Sequence, residues 1–331
     1  MDMGTQGERT DARNTSSATT GSNAGADEHH CKHFDDVKLP WYQRVILWML
    51  SLGCVPRSMA IIPDGNRRYA KKVGASVNEG HLAGAQRMDE VGRWAEKMGI
   101  KEVTIYVFST HNFKRPKDEI DGIFDEIQKY SNNVIDEPHA AERKQVCARC
   151  VGDLEMLPRH VQVSLAKLEM ITSPYSKRRT NFCIAYSARH QLTRITEKMA
   201  RAVKEQLLKP EDITTSLIGD LLAVEEAPDI DLLMRTSGET RLSDFLLWQT
   251  SYAMLYFEVR TLPEVSFWDF IKGVLYYQVR ARAIQGVRER HQEATATLEK
   301  CCPEQLLRQR IFLKQMEADR ILYVRQLTRD D

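Results

Sequence analysis

The chain has almost no excess of charge of either sign. Its 331 residues carry 47 Lys and Arg against 46 Asp and Glu, so the formal net charge is +1 with neutral histidines. A balance this close gives no overall field that would attract a nucleic acid. An anionic ligand must therefore be bound by a local cluster of cationic side chains.

Long apolar runs are also missing. No stretch reaches the roughly 18 consecutive apolar residues that a membrane-spanning helix requires, and the polar N-terminus lacks the apolar core of a secretory signal. We therefore expect a soluble or peripheral protein. Residues 1–35 are rich in Gly, Ser, Thr, Asn and Ala with few large apolar groups, which predicts a disordered tail.

The most apolar segment lies within residues 36–56, where we predict an N-terminal helix. The run from Trp41 to Leu52 is too short to span a bilayer and too apolar for an exposed helix. It either packs over a groove of its own domain or lies in a membrane interface, where tryptophan favours the headgroup boundary. The sequence leaves both alternatives open.

Cysteine is scattered and odd in number. Seven scattered cysteines are typical of a reduced, intracellular protein. One C-x-x-C is formed by Cys147 and Cys150, but its surroundings are typical of a strand, where residues three apart point to opposite faces. We therefore expect no metal or redox site there.

Three motifs of other enzyme classes are absent. Neither G-x-G-x-x-G nor G-x-x-x-x-G-K-[ST] occurs, which argues against a nucleotide-binding α/β protein. The all-α prenyl synthases use D-D-x-x-D. The only Asp pairs here, Asp35-Asp36 and Asp330-Asp331, do not continue in that way.

What the chain does contain is an alternation of short apolar runs with amphipathic segments of helix length. Strands are predicted at 58–62, 102–108, 145–151, 180–186, 230–234 and 254–259. Helices are predicted between them, for example at 80–98 and 118–135. This alternation predicts an α/β fold, a single domain with a mainly parallel six-stranded sheet flanked by helices, over residues 57–290.

The residues that follow, 291–331, are highly charged and predict a C-terminal helical extension. From Pro303 its apolar residues form a roughly continuous stripe, consisting of Leu307, Ile311, Met316, Ile321 and Val324. Such a helix either packs on its own domain or associates with another chain.

In a parallel sheet, ligands bind beyond the carboxyl ends of the strands, and polar clusters follow three of the predicted strands. After the first come Asp64, Gly65, Asn66, Arg67 and Arg68. The carboxylate suits Mg²⁺, the glycine permits a close backbone approach, and the guanidinium groups suit phosphate. A helix cap with solvated arginines is the alternative for this cluster taken alone.

Two further clusters strengthen the phosphate interpretation. Arg235, Arg241 and Ser243 follow the fifth strand around Gly238, and Ser109, Asn112 and Arg115 follow the second. Because all three clusters follow strands of one parallel sheet, we expect them at one edge. Two phosphate-suited clusters imply two anionic substrates, or one long one.

The segments Asp64-Gly65-Asn66 and Arg235 to Ser243 resemble the cis-prenyltransferases, also called the undecaprenyl diphosphate synthase family. The resemblance runs from about Arg57 to Arg290. Two segments are similar to the eukaryotic dehydrodolichyl diphosphate synthase branch of this family. They are residues 66–72, Asn-Arg-Arg-Tyr-Ala-Lys-Lys, and residues 241–249, Arg-Leu-Ser-Asp-Phe-Leu-Leu-Trp-Gln.

The resemblance implies a role for each matched residue. Asp64 would act with Mg²⁺ and diphosphate, and Asn66 in proton removal from the isopentenyl unit. The allylic diphosphate site would consist of Gly65, Arg67, Arg68, His81, Ser109, Asn112 and Arg115. The isopentenyl diphosphate site would consist of Arg235, Arg241 and Ser243. The segments 82–98 and 120–135 are candidate walls for an apolar product cavity.

The sequence also departs from the family pattern. Pro63 replaces a usual Met, Val77 replaces a frequent phosphate-binding Arg, and Met254 stands where bacterial relatives carry a metal-holding Glu. Single-subunit members have an Arg-x-Gly tail that reaches a neighbouring active site. Residues 280–286 fall near that place but contain no such triplet, which predicts an inactive homologous partner that supplies it.

Taken together, the resemblance implies a catalytic subunit that condenses isopentenyl diphosphate with farnesyl diphosphate into long-chain Z-polyprenyl (dehydrodolichyl) diphosphate for dolichol and protein glycosylation. It implies Mg²⁺ as cofactor and a peripheral location on the cytosolic face of the endoplasmic reticulum. The alternative is a non-catalytic accessory subunit of the same fold, which would be expected to lack Asp64 or the cluster from Arg235 to Ser243.

Overall fold

A computed structural model describes residues 39–137, 139, 142–143 and 145–329. The predicted tail, residues 1–35, lies outside the described residues. Six strands form one sheet in the order β3-β4-β2-β1-β5-β6, and every neighbouring pair is parallel. The strands are β1 (Ser58–Ile62), β2 (Glu102–Ser109), β3 (Val146–Val151), β4 (Arg178–Tyr186), β5 (Leu232–Arg235) and β6 (Met254–Phe257). The predicted α/β class and parallel six-stranded sheet are confirmed.

Helices flank this sheet. They are α1 (Trp41–Ser51), α2 (Asn66–Val73), α3 (Val77–Met98), α4 (Lys117–Asp136), α5 (Arg159–Thr172), α6 (Ala188–Lys204), α7 (Thr215–Glu225), α8 (Phe267–Leu298) and α9 (Pro303–Leu327). The strand β1 is buried along its whole length. Met59 and Ile61 join the apolar cluster that contains α3 and α8 residues, whereas Ala60 and Ile62 join the cluster on the opposite face. This two-sided burial explains why the sequence of β1 is a continuous apolar run.

The strand register brings the polar clusters to one edge. Ile62, the last residue of β1, pairs with Arg235, the last residue of β5. On its other side β1 pairs with β2, beginning with Ser58 opposite Glu102. Because the three strands run in the same direction, the segments that follow them emerge at the same edge of the sheet.

The long helix α3 is delimited by strong local signals. Ser76 and Glu79 form a capping box at its start, and Gly99 ends it with a φ of 94°. Its residues Val91, Trp94 and Met98 are buried against the sheet. A different face of the helix, which includes His81, Met88 and Glu96, lines the cavity described below.

The helix α1 presents two different faces. Leu47 is fully buried, and Gln43 accepts a hydrogen bond from Trp94 Nε1 at 3.3 Å, so one face packs on α3. Trp41, Val45 and Trp48 are exposed on the other face. Within residues 39–137, 139, 142–143 and 145–329, no helix is long and apolar enough to cross a membrane.

The helix α8 continues past residue 290, where the sequence places the end of the catalytic domain. Near its C-terminal half, Arg288 Nη1 lies 2.7 Å from Asp231 Oδ1, and Arg288 Nη2 donates to the carbonyl oxygen of Ile230. The other oxygen of Asp231 accepts from the backbone N–H groups of Arg57 and Ser58. These contacts join α8 to the amino ends of β1 and β5.

The helix α9 packs on its own domain, but through a different face from the predicted stripe. Phe312 is fully buried in a cluster with α6 and α7 residues, and Arg308 forms a bidentate ion pair with Asp212 at 2.7 Å. Arg320 pairs with Glu169 of α5. The predicted stripe was wrong as a single face. Val324 is buried and Met316 partly so, whereas Leu307, Ile311 and Ile321 are exposed.

Candidate active site

The carboxylate of Asp64 lies at the point where β1 ends. Its backbone is held by Thr236, whose hydroxyl accepts from Asp64 N–H at 2.8 Å and donates to Asp64 O at 2.7 Å. The next residue, Gly65, has a φ of 101°, and a Cβ on it would lie 2.7 Å from Thr261 Cβ and 2.9 Å from Ser237 Cβ. Only glycine therefore permits this turn, which directs the Asp64 side chain into the cavity.

Arg235 joins the clusters that follow β1 and β5. Its guanidinium group is almost completely buried, with Nη2 at 2.7 Å from Asp64 Oδ2 and Nη1 at 2.7 Å from Ser243 Oγ. Nη1 also donates to the carbonyl oxygen of Arg241. A buried cation requires a partner of opposite charge. Asp64 and Ser243 thus belong to one site, as we predicted from their positions after two strands of one parallel sheet.

Arg68 and Arg241 provide exposed positive charge beside the Asp64–Arg235 ion pair. Arg68 lies 4.0 Å from Asp64 Oδ1 and 3.3 Å from Glu239, and it also contacts the hydroxyl of Ser237. Arg241 pairs with the same Glu239. Ser237 and Gly238 have φ values of 77° and 74°, a tight turn that brings this loop close to Asp64.

Asn66 is enclosed by two glycines of α3. A Cβ on Gly84 would lie 2.8 Å from Asn66 Cγ and Nδ2, and one on Gly80 would lie 2.6 Å from the Asn66 carbonyl oxygen. Asn66 Nδ2 is 3.4 Å from His81 Nδ1. Its Oδ1 is buried and has no hydrogen-bond partner among the residues that the structure describes. An unsatisfied buried acceptor of this kind can receive a proton donor from a ligand.

Burial lowers the pKa of His81, and the hydrogen bond to Glu119 only partly opposes this shift. The imidazole is therefore neutral near pH 7. In the tautomer that fits its contacts, Nδ1 accepts from Asn66 and Nε2 donates to Glu119 Oε1 at 3.3 Å. His81 thus links α2, α3 and α4 through a neutral ring.

Glu119 is a functional candidate that the sequence interpretation missed. This buried carboxylate accepts from Arg115 Nη1 at 3.0 Å and from His81, and it lies 3.8 Å from Arg67 Nε. It therefore organises two of the predicted allylic-site cations, Arg67 and Arg115, together with neutral His81. The signal in the sequence was its i,i+4 spacing from Arg115 at the start of α4.

The segment after β2 forms a 3-10 turn at Thr110–Lys114. Ser109 N–H donates to Asn112 Oδ1 at 2.9 Å, which closes the turn. Arg115 follows it and faces Glu119. The third predicted cluster therefore lies at the same edge of the sheet as the first two.

A cavity of about 800 Å³ opens at this edge and continues between the sheet, α3 and α4. The predicted site residues that line it are Asp64, Asn66, His81, Ser109, Asn112, Arg115, Arg235, Arg241 and Ser243. Gly65, Arg67 and Arg68 lie beside it rather than in its lining. Deeper in, the walls are apolar and include Met88, Val107, Ile123, Ile127 and Phe182.

A second buried carboxylate, Glu226, supports the loop that carries Ser243, and no local sequence pattern indicated its role. Its Oε2 accepts from Tyr186 Oη at 2.8 Å and from Gln249 Nε2 at 2.9 Å. Tyr186 packs edge-on against Phe245, two residues after Ser243. Burial raises the pKa of Glu226 to about 7, although both hydrogen bonds lower it in part.

The residues that depart from the family pattern have separate positions. Val77 is the first residue of α3 and is partly exposed, and Pro63 lines the cavity. Met254 begins β6 and pairs with Leu232, so it lies at the amino end of the strands, whereas Asp64 lies beyond their carboxyl end. A glutamate at 254 would therefore not reach Asp64 of the same chain.

A divalent cation would find one suitable carboxylate here. Asp64 faces the cavity with hard oxygen donors, and no group of three His, Cys, Asp or Glu that could hold a metal occurs in the described part of the chain. This donor set fits an ion that is bound by one carboxylate and by phosphate oxygens of a substrate, as is usual for Mg²⁺. Cys147 and Cys150 of β3 are free thiols.

Comparison with protein families gives a match over most of the chain. The family described as "Putative undecaprenyl diphosphate synthase" matches residues 62–285. The human dehydrodolichyl diphosphate synthase complex subunit DHDDS is 39% identical over 256 residues, which cover 77% of this chain and 77% of the human protein.

Two further relatives extend the comparison. The tritrans,polycis-undecaprenyl-diphosphate synthase (geranylgeranyl-diphosphate specific) of Picrophilus torridus is 34% identical over 241 residues, covering 73% of this chain and 94% of that protein. The crystal structure of lavandulyl diphosphate synthase from Lavandula x intermedia, in complex with dimethylallyl diphosphate, superposes with a TM-score of 0.64 at 29% identity. The superposition covers 68% of this chain and 95% of that chain.

The raised pKa of Glu226 makes a prediction about stability. Between about pH 4.5 and 7 the folded state holds a proton on Glu226 that the unfolded state has lost, so rising pH should destabilise the fold by up to about 1.4 kcal/mol per pH unit. Glu226→Gln keeps the acceptor for Tyr186 and removes the ionisation. Urea unfolding should therefore show the variant gaining stability over the wild type between pH 5 and pH 8.

Titrating groups that do not interact with Glu226 are common to both proteins and cancel in this difference. Parallel curves of unfolding free energy against pH would contradict the prediction.

Proposed function

Since the chain belongs to the undecaprenyl diphosphate synthase family, the cis-prenyltransferases, we propose that it is the catalytic subunit of a dehydrodolichyl diphosphate synthase. In this role it condenses isopentenyl diphosphate with farnesyl diphosphate to give a long-chain Z-polyprenyl diphosphate for dolichol and protein glycosylation. The similarity to the human DHDDS subunit supports this product class.

The observation that carries the catalytic assignment is the contact of Arg235 with both Asp64 and Ser243. A non-catalytic subunit of the same fold would have no need to keep a buried cation between a carboxylate and a second phosphate-suited cluster, because such a charge costs several kcal/mol to desolvate. The accessory alternative therefore has less support from the geometry.

The allylic diphosphate fits the side of the site formed by α2 and α3. Arg67, Arg68 and Arg115 supply positive charge there, and α2 begins directly after Gly65, so its N-terminus lies close to Asp64. Neutral His81 and Asn112 add polar contacts. As the allylic bond breaks, negative charge grows on the departing diphosphate, and these fixed donors stabilise it.

Asp64 would hold Mg²⁺ together with diphosphate oxygens, and the bound ion would supply further positive charge to the leaving group. Arg235, Arg241 and Ser243 bind the diphosphate of isopentenyl diphosphate on the other side of Asp64. This orients its double bond toward the allylic carbon. Asn66 lines the cavity close to Asp64, and its amide assists removal of the proton as the new Z double bond forms.

The apolar middle of the cavity suits the growing chain. Its walls come from α3 and α4, within the segments 82–98 and 120–135. Each buried CH₂ group contributes about 0.8 kcal/mol, so a lengthening prenyl tail is held with increasing affinity.

The role of Arg241 can be tested separately from that of the primer site. Arg241→Ala removes a charge-assisted contact worth roughly 1.5–3 kcal/mol, so KM for isopentenyl diphosphate should rise about ten- to hundred-fold while KM for farnesyl diphosphate changes little. Steady-state kinetics with each substrate varied in turn provide the measurement. The control is Arg201→Ala, which removes an exposed arginine of α6 outside the cavity. An effect confined to the primer would show that the two sites are reversed.

We further propose a partner subunit. Residues 280–286 lie within α8 and offer no Arg-x-Gly, while Arg68 and Arg241 leave the diphosphate edge open to solvent, where charge interactions are weak. A surface suited to association exists nearby. The strand β6 is an edge of the sheet, and Trp268, Leu275 and Val279 form an exposed apolar face of α8.

The purified chain should turn over slowly with farnesyl diphosphate, labelled isopentenyl diphosphate and Mg²⁺, and a homologous subunit with an Arg-x-Gly tail should raise kcat many-fold. Asp64→Asn should abolish turnover in both preparations by orders of magnitude, because the cation-holding carboxylate is lost. Leu275→Glu should weaken association, measured by light scattering, without changing the slow basal rate. Equal turnover with and without the partner would refute the requirement for it.

We also propose that α1 contacts a membrane at the cytosolic face of the endoplasmic reticulum, where a polyprenyl product must be delivered. Trp41, Val45 and Trp48 of this helix, and Leu52 directly after it, are spaced by four, three and four positions and are all exposed. Tryptophan favours the interfacial region of a bilayer. Because Leu47 on the opposite face is buried, the exposed stripe is available without unfolding the helix.

Replacing Trp41 and Trp48 together by serine should reduce cosedimentation with phosphatidylcholine–phosphatidylserine vesicles several-fold, since two interfacial anchors are lost. Trp268→Ser is a control for the loss of one exposed tryptophan, because Trp268 belongs to α8 and not to this stripe. Circular dichroism should show both variants folded. Unchanged vesicle binding of the double variant would contradict the membrane contact and would show that α1 only packs on its own domain.

A further inference from the structure

The loop that carries Ser243 has an unfavourable backbone conformation. Ser243, Asp244 and Leu246 have φ values of 53°, 61° and 44°. These values lie in the left-handed region, which costs free energy for any residue with a Cβ atom. Such a conformation persists only where neighbouring contacts fix it. The contacts made with this loop therefore decide where the Ser243 hydroxyl lies.

Tyr106 of β2 contacts the loop through both its hydroxyl and its ring. Tyr106 Oη donates to the carbonyl oxygens of Ser243 and Tyr186, each at 3.2 Å. Its ring stacks on Phe245 with centroids 4.4 Å apart and 11° between the ring planes. One side chain therefore fixes the carbonyl group of Ser243 and, through the stacked ring, the residue two positions later.

The phenol of Tyr106 is a permanent hydrogen-bond donor. Burial raises its pKa, and a hydrogen bond with Ser109 lowers the pKa only in part. The group therefore keeps its proton throughout the pH range in which proteins are usually folded. Its bond to the Ser243 carbonyl oxygen is not lost by ionisation.

Other contacts hold the fold of the loop without the phenol. The Asp244 carbonyl oxygen accepts from the backbone N–H of Ala188 at 2.9 Å, and the Asp244 carboxylate contacts the hydroxyl of Ser187. Phe245 and Leu246 are fully buried. Loss of the Tyr106 hydroxyl should therefore leave the loop folded and change mainly the orientation of Ser243.

We propose that Tyr106 is a positioning residue for the isopentenyl diphosphate site and acts through Ser243. The inference rests on the proposed function, because that function assigns Ser243 to the diphosphate of isopentenyl diphosphate. Ser243 Oγ lies 2.7 Å from Nη1 of the buried Arg235. While the phenol holds the Ser243 carbonyl group, this hydroxyl stays beside the guanidinium group, and both are ready for the same diphosphate. Without the phenol, the strained backbone relaxes and the hydroxyl turns away.

Tyr106→Phe removes the hydroxyl and keeps the ring on Phe245. The Kd for isopentenyl diphosphate, measured by titration calorimetry on the full chain with Mg²⁺, should rise about two- to tenfold, the range for loss of one uncharged hydrogen bond. In steady-state kinetics the KM for isopentenyl diphosphate should rise more than that for farnesyl diphosphate. The kcat should change little, because only binding of the donor is weakened.

A double-mutant cycle separates positioning from a general structural role. Ser243→Ala removes the hydroxyl through which Tyr106 is proposed to act. Tyr106→Phe should therefore weaken isopentenyl diphosphate binding in the wild-type background but add little to Ser243→Ala. A general loss of packing would weaken binding by the same factor in both backgrounds.

The matched control is Tyr277→Phe. It removes the hydroxyl of another buried tyrosine, which belongs to α8 and lies outside the cavity lining. Affinity for isopentenyl diphosphate should stay unchanged. If Tyr106→Phe does not fold by circular dichroism, Phe245→Leu, which removes the stacked ring and keeps an apolar side chain, should weaken the binding in its place.

The outcomes separate this inference from the proposed function. Weaker binding that disappears in the Ser243→Ala background supports the role of Tyr106. Unchanged affinity, equal weakening in both backgrounds, or the same effect from Tyr277→Phe overturns it and leaves the proposed function intact. If the wild type with its partner binds isopentenyl diphosphate but forms no prenyl product, the proposed function is wrong, and the affinities still decide the role of Tyr106. If the wild type neither binds isopentenyl diphosphate nor forms product, both are wrong.

Discussion

The ion pair between Asp64 and Arg235 is the interaction on which the rest of the site depends. A guanidinium group that is almost completely buried is stable only with a carboxylate beside it, and Asp64 supplies that carboxylate at 2.7 Å. The two residues are 171 positions apart in the chain. They meet because β1 and β5 are neighbours in the sheet and Ile62 pairs with Arg235. Sheet topology and site electrostatics therefore constrain each other.

Two further buried carboxylates show how burial and partners give the same functional group different properties. Glu119 faces Arg115, Arg67 and neutral His81, so it acts as a fixed negative centre that positions cations. Glu226 faces a phenol and an amide, and burial raises its pKa to about 7. The first organises a phosphate-suited side of the site, and the second supports the loop that carries Ser243 from behind.

The cavity gives the two ends of the parallel sheet different chemistry. At the carboxyl ends, cations converge with Asp64, which suits diphosphates. At the amino ends, Glu96 and Arg178 neutralise each other. Between them the walls of α3 and α4 are apolar. An apolar chain attached to a diphosphate at Asp64 would extend along these apolar walls, away from the charged catalytic edge.

The sequence alone determined the strands, the main helices and the clusters that follow β1, β2 and β5, because the alternation of apolar and polar residues is a local property of the chain. It also indicated the family through Asp64-Gly65-Asn66 and the run from Arg235 to Ser243. Only the tertiary structure decided the strand order, the buried face of α9, the positions of Glu119 and Glu226, and the charged end of the cavity. Each of these depends on contacts between residues far apart in the chain and on which charged groups lose water when the chain folds. The spacing of residues along a single segment encodes neither the long-range contacts nor the burial of these charges.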